Sequence, residues 1–202
     1  MGMALALHTI SDENISKVLA DPPLIWRVIA PEDPEMYEQA RTQKRPGFLA
    51  RLFGAKPAEG KADLLELARA DGEGLETDLD MAWHGIHYLL TGTAWEGPEP
   101  LNFLVCGGKE VGDIDVGYGP ARVIGSDEVK RILDAVGAID EDKLRQRFNP
   151  EEMKSLEIYP DIWDRDPADD DTLGYCIENF QHLRQFLSDA AGNSMGVALY
   201  IC

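Results

Sequence analysis

Two histidines and an aspartate, Asp80, His84 and His87, stand four and three residues apart in the stretch Asp78–Gly92. At 100° per residue they fall with Thr91 on one narrow stripe of a helix. Two imidazoles beside a carboxylate can do chemistry. They match a three-ligand divalent-metal set with a fourth position for water, and His84 or His87 suits a general base oriented by Asp80 or a backbone carbonyl. Packed between layers, the same groups would instead satisfy one another and nearby carbonyls, as buried polar groups must. The order is not His-Glu-x-x-His, and no second cluster of ligands accompanies it. The packed network therefore ranks first, a small-molecule or catalytic site second and a metal last, so no metal and no cofactor is expected.

The elements that must position this stripe follow from periodicity. Leu79, Ala82, Trp83, Ile86, Leu89 and Leu90 form a broad apolar face, which must be buried. The remaining side, Met81, Gly85 and Tyr88, is poor in charge and reads as packed too, so the helix is expected to be central and covered on most sides. Gly92 suits the left-handed position past its end. Met3, Leu5 and Leu7 alternate with Ala4, Ala6 and His8, predicting an opening strand. Ser11 with Asp12 and Glu13 starts a helix that Asp21-Pro22-Pro23 stops. Asp63 to Ala70 reads as a helix, and Leu101 to Cys106 as a strand closed by Gly107-Gly108. Turn chemistry follows up to Gly119, where Gly112, Gly117 and Gly119 lack the spacing of a dinucleotide fingerprint. Helices are expected from Ser126, from Asp140 and from Asn149-Pro150. Asp164 to Asp171 is an acidic solvated loop without the glycine turn and closing glutamate of a calcium hand.

The longest helix, Leu173 to Ala191, places Leu173, Cys176, Ile177, Phe180, Leu183 and Leu187 on one stripe into which Arg184 projects. A guanidinium there must snorkel to the edge or find a carboxylate. Met195 to Cys202 alternates as a closing strand. If the central helix carries a ligand site, its candidates are Asp80, His84 and His87 for acid–base work and Trp83, Tyr88, Arg122 and Arg184 for binding, an arginine holding an anion.

The 202 residues carry 37 acids against 19 bases, a net charge of -18. Repulsion from phosphate argues against nucleic acid and suits a basic protein partner. Arg41, Lys44, Arg45, Arg51, Lys56 and Lys61 form the one basic stretch, interleaved with Phe48, Leu49, Leu52 and Phe53. It reads first as a surface excursion over about 41–61 that folds back on its own core, and alternatively as a short amphipathic segment touching an acidic partner, an anionic lipid surface or the protein's own acidic body; no stable membrane association is expected. Three scattered cysteines, no signal peptide and no apolar run able to span a bilayer lead to the expectation of a cytoplasmic protein. The oligomeric state is not legible.

Leu79 to Gly92, then Tyr118-Gly119-Pro120-Ala121-Arg122, then Glu157-Ile158-Tyr159-Pro160, with the opening Met1-Gly2-Met3, resemble the YfbM-like family of bacterial proteins. The block Trp83-His84-x-x-His87-x-Leu89-Leu90-Thr91-Gly92 is the specific part. The resemblance implies a compact α+β domain and, the family's function being unknown, supplies no activity. The expected architecture is a single α+β domain over 1–202, with a mixed or antiparallel sheet that includes the N- and C-terminal strands and helices packed on it. The expected function is non-enzymatic binding of a macromolecule through the acidic surface, for instance neutralising a basic protein as immunity proteins do. The alternative is a small-molecule binder or enzyme at the His/Asp stripe, and solvent access to the imidazoles distinguishes the two.

Overall fold

The computed structural model describes residues 2–42 and 66–202. Strand β1 (Leu5–Ile10) leads into α1 (Asp12–Ala20), a short 3-10 turn (Pro22–Ile25), α2 (Trp26–Ile29) and α3 (Pro34–Thr42). After β2 (Glu76–Asp78) and a second 3-10 turn (Asp80–Ala82) come α4 (Trp83–Thr91), α5 (Phe103–Cys106), β3 (Lys109–Asp115) and β4 (Pro120–Ile124). The chain closes with α6 (Ser126–Gly137), α7 (Glu141–Arg147), α8 (Pro150–Ser155), α9 (Thr172–Gly192) and β5 (Gly196–Ile201). The strands form one antiparallel sheet in the order β2-β1-β5-β4-β3, with the N- and C-terminal strands paired along their length. Among the described residues, no helix is long and apolar enough to cross a membrane.

The sheet is covered on both faces. Leu5, Leu7, Ile124, Val197 and Leu199 point to a layer built from α4, α6 and α9. Ile10, Ala121, Val123 and Ala198 point the other way, to α1, α2 and α3. The expected opening strand is present, and all six residues of β1 are buried, because neither face meets water. His8 is buried among them, stacked on Tyr200 with ring centroids 5.8 Å apart. Burial lowers its pKa, with Glu76 opposing.

Ser11, Asp140, Asn149 and Asp171 each cap their helix by accepting from a backbone N–H, and Gly92 closes α4 at φ 75°. Ser126 departs from expectation: Gly125 is the cap, and Ser126 donates its N–H and Oγ to the Asp12 carboxylate at 2.9 and 2.6 Å. An acid from α1 thus supplies the anion for the α6 N-terminus.

Three further expectations are corrected. Leu101 to Cys106 is not a strand; Phe103–Cys106 is a helical turn in which the Val105 and Cys106 N–H groups donate back to Asn102 and the following Gly107 N–H to Phe103, an ambiguity inherent in a short apolar run. Lys109–Asp115 is an edge strand rather than turns. Only Val111 is buried along it, and its register with β4 shifts after Glu110, so its hydrophobic content is too low to betray pairing. Of the helix expected over 63–70, residues 66–70 are irregular, with both the N–H and the C=O of Ala68 bonded to the Asn14 amide; its first residues lie outside the described ones. So does the basic stretch beyond Thr42. Arg41 stands over the Tyr37 ring at 5.5 Å from its centroid.

Candidate functional site

Helix α4 is sealed. Trp83 to Leu90 are all buried, and the face that carries no charge is as tightly packed as the apolar one. A Cβ on Gly85 would lie 2.4 Å from the Trp163 ring and 2.9 Å from Cys176 Sγ. Trp163 is held by its indole N–H, which donates to the Ile158 carbonyl at 2.8 Å, so it has little freedom to yield. Glycine is the residue that lets α4 and the 158–176 segment touch.

Asp80 does not belong to the histidine stripe, which corrects the sequence reading. It sits at φ 47° in the 3-10 turn before α4, and that left-handed step breaks the 100° progression that would have aligned it with His84 and His87. Its exposed carboxylate accepts from Tyr175 Oη at 2.7 Å, while the same hydroxyl accepts from the Met81 N–H at 3.1 Å. The pair fastens the start of α4 to α9. Burial, followed by the Asp80 bond, pushes the Tyr175 pKa up.

His84 and His87 are brought together, with ring centroids 6.4 Å apart and no exposure at either residue. His84 is fully used. Its Nδ1 accepts from the Tyr159 N–H at 2.9 Å and its Nε2 lies 2.7 Å from the Ala94 carbonyl, so the tautomer satisfying both is neutral with the proton on Nε2. Its ring is stacked on Trp83 at 4.8 Å and faces Trp95 at 4.4 Å. Burial lowers its pKa, with the Ala94 carbonyl opposing. His87 is different: neither ring nitrogen has a hydrogen-bond partner. Burial, followed by His84, lowers its pKa to about 4, with the Glu96 backbone opposing and Arg122 adding to the shift. Both imidazoles are neutral near pH 7.

The other candidates divide. Trp83 donates its indole N–H to the Met3 carbonyl at 3.0 Å. Tyr88 donates to Glu152 at 2.8 Å, and burial with that bond raises its phenol pKa. Arg122 stands on the α4 side of the sheet, but its guanidinium donates to the carbonyls of Leu104 at 2.6 Å, Gly107 at 2.5 Å and Phe103 at 3.2 Å. It holds the end of α5 rather than facing an open anion site. Arg184 is exposed on α9 with its guanidinium 5.9 Å from the Phe180 ring centroid, so it has taken the snorkelling option. Among the described residues, no three of His, Cys, Asp and Glu form a group able to hold a metal ion.

Sequence reasoning missed the residues that close this region. Tyr159, Ala94 and Trp95 reach His84 from loops 75, 10 and 11 positions away along the chain. Trp95 is 56% exposed and forms the outer wall over the His84 ring. A tryptophan in a Gly- and Pro-rich loop was the available signal. Chemically, the arrangement can orient and rigidify; with Asp80 outside, His84 saturated and Arg122 occupied, it lacks an acid–base pair in contact with solvent.

Comparison with known proteins adds family and fold. A family model described as "Domain of unknown function (DUF1877)" matches residues 1–200. No curated protein matches the chain. Among solved structures, one titled "The Crystal Structure of a Protein of Unknown Function YfbM from Escherichia coli" is similar with a TM-score of 0.62 and 16% identity, over 98% of this chain and 99% of that one. The likeness is one of fold.

Proposed function

Because this chain belongs to the DUF1877 family, a domain of unknown function, we propose its role from its own geometry and charge: it is a non-enzymatic protein that binds a basic macromolecule through its acidic surface. Neutralisation of a basic protein, in the manner of an immunity protein, is the form of that activity the charge suits best. The observation that carries the reading is the sealing of α4. Its two imidazoles have no exposure, so the only chemically capable cluster the sequence offered is turned into the core. The net charge of -18 is left to act from outside, where it steers encounter with a positively charged partner and opposes nucleic acid and anionic lipid. The cytoplasm is the compartment proposed, its reducing conditions suiting the free thiols Cys106, Cys176 and Cys202.

One observation favours the second reading, a small-molecule site on α4. His87 keeps two unpaired nitrogens in the core, an arrangement that costs free energy and invites a hydrogen-bonding guest. Capture of the tagged protein from its native extract, at low and moderate salt with mass spectrometry of what is retained, separates the two. A stoichiometric basic protein lost as salt rises is the expected result. A retained metabolite with no protein would overturn it in favour of His87.

A further inference from the structure

We infer that a basic, extended segment of the partner docks in the groove between the edge strand β3 and the helices α2 and α3, placing an apolar side chain on its floor; this deepens the binding reading above and rests on it. The groove encloses about 800 Å³ and is lined by Trp26, Met36, Ile114 and Val116 with Asp113 and Asp115 on its rim. Trp26, Met36 and Ile114 are half-buried, an aromatic, a flexible thioether and a branched aliphatic gathered at the surface. That composition is the anatomy of an interface centre, where buried apolar anchors determine affinity.

What surrounds the floor selects the occupant. Glu110, Asp113 and Asp115 stand exposed along β3, and Glu35 and Glu38 stand exposed on α3, beside Gln39, which lines the groove. The nearby Arg27 and Arg41 lie over the Tyr37 ring at 4.2 and 5.5 Å, and Lys109, exposed at the start of β3, is the one base on that strand. Asp115 is pre-set as an anion, since Oδ1 accepts from the Gly117 and Gly119 N–H groups at 3.0 and 3.1 Å, and those two bonds hold its carboxyl below the ordinary range. An acidic rim around an apolar floor complements lysine or arginine flanking a hydrophobic residue. β3 is the last strand of the sheet, with no strand paired to its outer side among the described residues, so an extended chain can lie along it.

The test uses the full chain and a short labelled lysine–glycine peptide with one central leucine, followed by fluorescence anisotropy at low and moderate salt. The same peptide with glycine at the centre is expected to bind about tenfold more weakly, the worth of one buried aliphatic side chain. Asp113→Lys and Met36→Lys are each expected to weaken the leucine peptide by roughly tenfold, and moderate salt to do so again. Asp134→Lys, at an exposed position of α6 on the opposite face of the sheet, is expected to leave binding nearly unchanged. Thermal melts of the three variants confirm that each is folded. If Asp134→Lys weakens binding as much as Asp113→Lys, and the leucine adds nothing, the acidic body attracts cations diffusely; the groove is then refuted while the broader binding reading stands. If a retained native partner proves neutral or acidic, that broader reading falls. Concentration-dependent self-association lost in Met36→Lys would give the groove to a second copy and overturn the proposal.

Discussion

Arg122→Met is expected to be among the most damaging single substitutions in the molecule, lowering stability by about 2–4 kcal/mol, the cost of taking a charged donor away from backbone carbonyls. Arg122 lies in β4 with its guanidinium turned toward α5, where three backbone carbonyls accept from it. Methionine retains much of the apolar stem and removes every donor. The carbonyls of Leu104 and Gly107 then lose that partner, at about 1–3 kcal/mol for each that is buried, while Phe103 keeps the Gly107 N–H. Lysine keeps the charge but not the planar fork, so Arg122→Lys should recover only about half of the loss. Urea unfolding monitored by tryptophan fluorescence reads both. A loss under about 1 kcal/mol for Arg122→Met would release the guanidinium from its structural role and return it to the list of anion-binding candidates.

His87 gives the second large effect, and its sign is set by linkage. The folded-state pKa of about 4 lies below the ordinary 6.5, so between those values the unfolded chain binds a proton that the folded chain refuses. Stability therefore falls as pH drops through that window and is fully present above it. At about 1.4 kcal/mol per pH unit, the component assigned to His87 reaches roughly 3 kcal/mol by pH 4. In His87→Leu this component is absent, while every other titrating group remains. The difference between wild type and variant across pH 7 to 4 therefore isolates it. At pH 7 the same variant is expected to be neutral or stabilised by up to about 2 kcal/mol, because it replaces two unpaired buried nitrogens with apolar atoms. Strong destabilisation of His87→Leu at pH 7 would mean that His87 has a bound partner in solution, which supports the small-molecule reading.

The sequence made some parts of this structure legible because their causes are local. The apolar period from Leu79 to Leu90 marks α4 as buried, and the absence of charge at Met81, Gly85 and Tyr88 marks its second face as packed; Gly85 against Trp163 is what that absence meant. Helix starts at Ser11, Asp140 and Asn149 depend on a side chain three residues from the amide it caps. What was not legible is non-local. The bond from the Tyr159 N–H to His84 joins residues 75 apart, and the contact of Ser126 with Asp12 joins residues 114 apart. Strand β3 owes its existence to β4 rather than to its own hydrophobicity. Asp80 left the stripe through one positive φ, a backbone choice that a helical wheel assumes away. Arg184 was placed on a core stripe correctly by angle but lies far enough toward its margin to reach solvent.

Sealed, neutral imidazoles on α4 leave the acidic surface as the functional part of the molecule, and nitrogen NMR of His84 and His87 through a pH titration tests this most directly. The predicted result is a neutral His84 with its proton on Nε2, and a His87 whose ring resonances stay those of a neutral imidazole until the pH approaches about 4, both unmoved when the basic partner binds to the surface. Titration of either ring near the ordinary 6.5, or a shift of His87 produced by a small molecule from the native extract, would contradict it and move the function from the acidic surface to the core of α4.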